Sequence, residues 1–213
     1  MWPFMIKGGD ATCHAHQGSP KNDSRSISSA TGNVQSITAA NYKNELRFAM
    51  EELAQDPKVR FIGYGVRIGG KALGTLKNVP DWQLIEMPVA ENLMVGFAIG
   101  LSLKGFKPVV FIERFDFIWN ASDAIVNQLD KIDKISGHEF NPTVILRIVV
   151  GNRHKPLFTG ETHTQDYTSA LRNAVLFPVI KLTTAEQIRR QYKNAYRDLG
   201  KFSTALVEYK DLM

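Results

Sequence analysis

The sequence predicts an α/β fold: a doubly wound, mostly parallel six-stranded sheet with helices on both faces. Three observations lead there. Several short segments are apolar nearly throughout, among them VRFIGYGV (59–66), VVFIE, TVILRIVV (143–150), FPVIKLT and TALVEYK. Stretches with apolar residues three and four apart alternate with them. Strands that are apolar on both faces must be covered on both, which is the signature of a parallel sheet between helical layers. Finally, in LIEMPVAENLMVGFAIGLSLKG (84–105) an apolar run passes through Pro88 into a segment of small residues. A single carboxylate, Glu91, stands at that junction.

Length and composition set the bounds. The 213 residues suffice for one sizeable domain, or one domain with an extension. The longest uncharged run, Asn92 to Leu103, is well short of the roughly 20 apolar residues that span a bilayer. The opening MWPFMIKGGD lacks the pattern of a secretory signal, so a cytoplasmic chain is expected. One cysteine, Cys13, excludes an internal disulfide. The net charge of +5 is dispersed. Its one grouping, Arg189, Arg190, Lys193 and Arg197, reads as the solvated face of a helix and has no interleaved aromatics for nucleic acid.

Taken in order, residues 1–37 are polar, Gly/Ser/Asn-rich and aperiodic, and read as an extended arm. Within it CHAH (Cys13, His14, His16) has no second ligand pair at zinc-site spacing. The domain proper is expected over 38–213. Tyr42, Leu46, Ala49 and Leu53 predict the first helix, ended by Asp56-Pro57-Lys58. The glycines Gly63, Gly65, Gly69, Gly70 and Gly74 follow a strand but lack the G-x-G-x-x-G spacing, and read as a loop close to a ligand or subunit. Gly96 and Gly100 share one helical face, predicting close packing in the core or at a subunit interface. Ile118, Ile125, Leu129 and Ile132 predict a helix stopped by Gly137. Thr184 to Gln187 has the form of a capping box opening a helix with Ile188, Tyr192 and Ala195 inward.

Ligands of such sheets bind beyond the carboxyl ends of the strands. Glu91, the Glu113–Phe117 stretch and the polar loop 151–165 with His154 and His163 fall there. Glu91 is either an acid that exchanges a proton with a ligand or a carboxylate stabilised by a helix N-terminus. His163 is either catalytic or plain surface, and Phe115 and Phe117 either core or a platform for a ring. Asp123 and Asn127, one turn apart, read as a solvated or interface face.

These residues also carry a family resemblance. MPVAENLMVGFAIGLSLKGFKPVVFIERFDFIWNASDAIVNQLDKIDKISG resembles the pyrimidine-binding domain of thiamine-diphosphate enzymes, in particular the β subunit of the decarboxylating component of 2-oxoacid dehydrogenases. The matching motifs run in order: the acid of P-V-A-E, G-x-A-x-G, the K-P turn, F-D-F and D-x-I-x-N. ETHTQ resembles the family's H-[ST]-Q loop and NYKNELRFAMEELAQDPKV its first helix. The likeness covers roughly 41–210, and transketolases share part of it.

The resemblance implies roles. Glu91 matches the glutamate that hydrogen-bonds the aminopyrimidine ring and promotes the imino tautomer that deprotonates the thiazolium carbon. Phe117 matches the aromatic residue packed on that ring. Val89 and Glu113 match residues lining it, with Glu113 unusual at its position. His163 matches a loop histidine that contacts substrate. No diphosphate-and-magnesium motif (G-D-G with a later Asn-Asn) occurs. The resemblance therefore implies a separate diphosphate-binding α-type subunit that holds Mg2+, in an α2β2 assembly. The family's β subunit continues into a C-terminal domain, whereas here the sequence stops at ALVEYKDLM, which fits a split or specialised enzyme. The expected reaction is decarboxylation of a 2-oxoacid with transfer of the acyl or aldehyde unit. A split transketolase-like ketol transferase and a non-catalytic assembly partner are the alternatives.

Overall fold

The computed structural model describes residues 28–157 and 160–213, with side chains described from residue 41 onward. The elements in order are α1 (Ser28–Leu53), β1 (Val59–Gly63), β2 (Leu84–Glu86), α2 (Glu91–Leu103), β3 (Lys107–Ile112), α3 (Ile132–Ile135), β4 (Ile145–Val150), α4 (Thr168–Ala174), β5 (Val179–Lys181), α5 (Ala185–Asp198) and β6 (Thr204–Tyr209). The strands form one six-stranded sheet of order β2-β1-β3-β4-β6-β5. Every neighbouring pair is parallel, as the doubly wound prediction requires.

The apolar strands divide their side chains between two cores. Ile62, Val110, Ile112, Leu146, Ile148 and Val207 pack against α2, the 115–135 region and α4. Phe61, Val109, Phe111, Ile145, Val149 and Leu206 pack against α1 and α5. Each central strand is thus buried on both faces, which is why its sequence shows no polar alternation. Tyr42 ties α1 to the sheet by donating to the Leu182 carbonyl at 2.7 Å.

Three features depart from the sequence prediction. Helix α1 begins at Ser28, ten residues before regular structure was expected. The preceding Ser- and Thr-rich stretch has no apolar stripe, so periodicity could not reveal it. The CHAH segment lies outside the described residues. The segment 115–135 is not one α-helix: Phe115–Ala121 is a 3-10 turn, Asp123–Leu129 a π-helical turn, and only Ile132–Ile135 is α-helical. A tight turn followed by a wide one returns Ile118, Ile125 and Leu129 to nearly the phase of an α-helix, so all three are buried. The capping box is incomplete. Gln187 accepts from the Thr183 amide at 3.0 Å, while Thr184 makes no side-chain cap to α5. Among the described residues no helix is long and apolar enough to cross a membrane.

Candidate active site

The site forms where β1, β3 and β4 end and α2 begins. Glu91 is the first residue of α2, and Ala90 before it provides no side-chain cap. The carboxylate therefore faces the positive end of the helix dipole. It is only 5% exposed. Among the described residues its hydrogen-bond partner is Asn120, whose Nδ2 donates to Oε2 at 3.3 Å.

In front of Glu91 lies a small cavity of about 70 Å³, lined by Tyr64, Val89, Glu91, Met94, Phe111, Ile112, Glu113 and Phe117. Val89, Glu91, Glu113 and Phe117, picked out in the sequence, converge here from two separate stretches. His163 joins them: its ring meets that of Phe117 edge-on, with centroids 5.2 Å apart. His163 closes a short 3-10 turn, Gly160–His163, above the end of β4. Glu113 is less free than a ring-lining residue would be, because Arg114 Nη1 donates to its Oε1 at 3.0 Å and to its carbonyl at 2.7 Å.

Sequence reasoning missed Tyr64, Arg114 and Asn120. Tyr64 follows Gly63, where a Cβ would lie 2.6 Å from the Phe111 carbonyl oxygen, so only glycine lets β1 end this close to β3. Tyr64, Phe111 and Glu113 also line a larger adjoining cavity of about 620 Å³ under the glycine-rich loop. Glu86 fastens that loop: its carboxylate accepts from the backbone amides of Gly65 (2.6 Å), Arg67 (2.7 Å) and Ile68 (3.1 Å). Burial alone would raise the Glu86 pKa, but these backbone hydrogen bonds outweigh it and hold it below the usual range. The same loop carries Lys71, Ala72 and Leu73 with φ of 44°, 49° and 60°, a left-handed run that non-glycine residues rarely adopt.

The remaining candidates fall away from this centre. His154 is exposed and Arg153 is bound to Asp211 at 2.9 Å. Asn127 donates to Asp123 on an exposed face of this chain, which suits either the solvated or the interface face expected of the pair. Gly96 and Gly100 do not pack in the core: a Cβ at either would meet nothing within 4 Å. They lie on an open face of α2 with Leu93, Phe97 and Leu103 exposed beside them. Among the described residues, no cluster of three or more His, Cys, Asp and Glu side chains is placed to hold a metal.

Chemically, the arrangement is a buried carboxylate at one end of a narrow cavity walled mainly by the aromatic side chains of Tyr64, Phe111 and Phe117 and by aliphatic ones. It suits a flat, largely apolar ring that offers a hydrogen-bonding edge to the acid.

Comparison with known proteins gives the family. The family described as the transketolase pyrimidine-binding domain matches residues 39–213. The mitochondrial pyruvate dehydrogenase E1 component subunit β of Saccharomyces cerevisiae is 30% identical over 152 residues, covering 70% of this chain and 41% of the relative. The 2-oxoisovalerate dehydrogenase subunit β of Pseudomonas aeruginosa is 27% identical over 138 residues, covering 62% and 39%. The chain thus spans about two fifths of the length of these relatives. Among solved structures, a split-gene transketolase described as an inactive β4 tetramer superimposes with a TM-score of 0.57 at 19% identity, covering 79% of this chain and 50% of that one. At that identity the likeness speaks for the fold, while the family match spans most of the sequence: this chain belongs to the transketolase pyrimidine-binding domain family.

Proposed function

We propose that this chain is the pyrimidine-binding, β-type subunit of a thiamine-diphosphate-dependent enzyme that decarboxylates a 2-oxoacid and transfers the acyl or aldehyde unit. The observation that carries the reading is the convergence of Glu91, Val89 and Phe117 on one narrow cavity, with His163 against Phe117. The residues fit an aminopyrimidine. Glu91 supplies the acid at the ring-nitrogen edge, and Phe117 and Val89 supply apolar surface for the ring faces.

When bound, thiamine diphosphate supplies the electron sink for breaking a carbon–carbon bond next to a carbonyl. The chain's own residues bind, orient and move a proton. Glu91 holds a proton at the ring nitrogen, in a pocket where little water competes for it. Asn120 keeps that carboxylate aimed. His163, beside Phe117 and only partly buried, is placed to meet a substrate entering over the ring.

The diphosphate and Mg2+ fall to a separate chain in this reading, in an α2β2 assembly. One observation supports a partner: α2 leaves Leu93, Gly96, Phe97 and Gly100 on an open apolar stripe. The β chain of the split-gene transketolase is described as inactive as a tetramer, in keeping with a half-site. The ketol-transfer alternative needs cations free for a sugar phosphate, and Arg153 of the GNRHKP stretch is taken up by Asp211. The non-catalytic alternative leaves the assembly around Glu91 without a use.

The test is reconstitution. The isolated chain is expected to bind thiamine diphosphate too weakly for calorimetric detection. Adding the diphosphate-binding chain should restore tight binding and turnover of a 2-oxoacid. Tight binding by the isolated chain would contradict the half-site, and turnover of ketose phosphates alone would move the reading to ketol transfer. In the complex, His163→Ala should lower turnover about 100-fold with cofactor affinity little changed.

A further inference from the structure

We infer that Gly151 is a positioning residue for His163, setting its height above the site by backbone contact. Its catalytic meaning rests on the role proposed for His163; its geometry stands alone. Gly151 is the first residue beyond β4, the strand beside β3 whose end supports the cavity, and it is buried. The chain leaves the sheet there and returns through the turn Gly160–His163. On its return the His163 peptide lies directly on Gly151.

A Cβ at position 151 would stand 1.8 Å from the His163 carbonyl oxygen and 2.9 Å from its carbonyl carbon. Both atoms are backbone, so neither can swing aside as the end of a flexible side chain could. Any side chain at 151 must lift the His163 peptide by roughly 1 Å, since contacts under 3.0 Å do not occur. On the remaining side Arg114 Cδ is 3.5 Å away, an ordinary contact, so Gly151 is enclosed rather than open. The contrast within this chain is with Gly96 and Gly100, whose added Cβ atoms would meet nothing within 4 Å. The imidazole of His163 meets the Phe117 ring 5.2 Å from centroid to centroid, and Phe117 lines the Glu91 cavity. Raising the peptide therefore separates the histidine from the ring wall it faces. A displacement of this size can cost on the order of 100-fold in rate at a site that depends on placement.

The experiment is NMR on the full chain, followed by turnover in the reconstituted complex. In the wild-type chain the Gly151 α-protons should show a nuclear Overhauser contact to the amide of Thr164, which is bonded to the His163 carbonyl carbon; its absence overturns the proposal without need of a variant. In Gly151→Ala the contact between the His163 and Phe117 rings should be lost and the His163 ring-proton shifts should move, with both unchanged in Gly100→Ala. A Gly151→Ala chain that melts earlier but keeps the ring contact has only lost stability, and the positioning role falls. In the complex, turnover of Gly151→Ala should drop about 100-fold while thiamine diphosphate binding changes less than threefold. Altered ring contacts with unchanged turnover would uphold the positioning by Gly151 and overturn the role proposed for His163.

Discussion

Two buried glutamates, one on each face of the sheet, show how the same side chain serves two ends. Glu208 lies in the layer under α1 and α5 and is fully buried. Arg147 Nε and Nη2 donate to its two oxygens at 2.7 and 2.9 Å, and the Tyr192 hydroxyl donates to Oε1 as well. The Arg147 guanidinium in turn stacks on Phe111 at 5.0 Å. Glu91 lies on the opposite face, nearly as buried, yet among the described residues has Asn120 at 3.3 Å as its one hydrogen-bond partner and fronts a cavity. A buried charge that is saturated by neighbours fixes structure. One that is sparsely partnered beside a cavity is suited to a ligand.

The comparison can be broken first at Glu208. Arg147→Ala leaves that carboxylate buried and unpaired, and should cost about 3–5 kcal/mol in urea unfolding. Replacing both partners by apolar residues, Arg147→Met with Glu208→Leu, should cost far less or stabilise. Equal losses in the single and double variants would show that shape, not charge pairing, dominates there.

The open side of α2 gives a smaller effect. Gly100→Leu meets no neighbour within the chain, so melting should be unchanged or slightly raised. Association with the diphosphate-binding chain should weaken at least about tenfold, roughly 1.4 kcal/mol, as read by sedimentation. Unchanged association would remove this face from the assembly.

A third carboxylate, at the rim, gives the smallest. Burial would raise the Asp56 pKa, but hydrogen bonds from Lys107, Tyr196 and the Lys58 amide hold it at about 2, below the ordinary 3.8. Because the folded value is depressed, this stabilisation is complete above pH 3.8 and is lost as pH falls towards 2. Asp56→Asn should therefore lose about 1–2 kcal/mol at pH 6, and the gap to wild type should close near pH 2. A constant gap across that range would mean that the network is not electrostatic.

The sheet was legible because each central strand is apolar on both sides, and the Phe61/Ile62 and Val109/Val110 pairs do face opposite cores. Glu91 was legible as a lone acid at a strand-to-helix junction. Its neighbours were not legible from the residues alone. Phe117 and His163 gain meaning only when chain separated by 46 residues is brought together, and resemblance supplied that link. Asn120 and Tyr64 gave no signal, since a polar residue in a mixed helix and a tyrosine between glycines are ordinary in sequence. The Arg147–Glu208 pair was written openly in TVILRIVV and TALVEY, two apolar strands each with one charge. Joining the two required knowing that β4 and β6 are neighbours, with Arg147 opposite Leu206 and Val149 opposite Glu208. The broken 115–135 helix stayed hidden because its apolar spacing keeps α-helical phase while its hydrogen bonding does not.

The most direct test sets the two glutamates side by side in the reconstituted complex, comparing Glu91→Gln with Glu208→Gln. Glu91→Gln should leave the melting temperature within a few degrees of wild type and lower turnover 10²- to 10⁴-fold, the usual yield of a positioned acid. Glu208→Gln should lower the melting temperature sharply, while the fraction that remains folded turns over within severalfold of wild type. Turnover of Glu91→Gln within twofold of wild type would contradict the account.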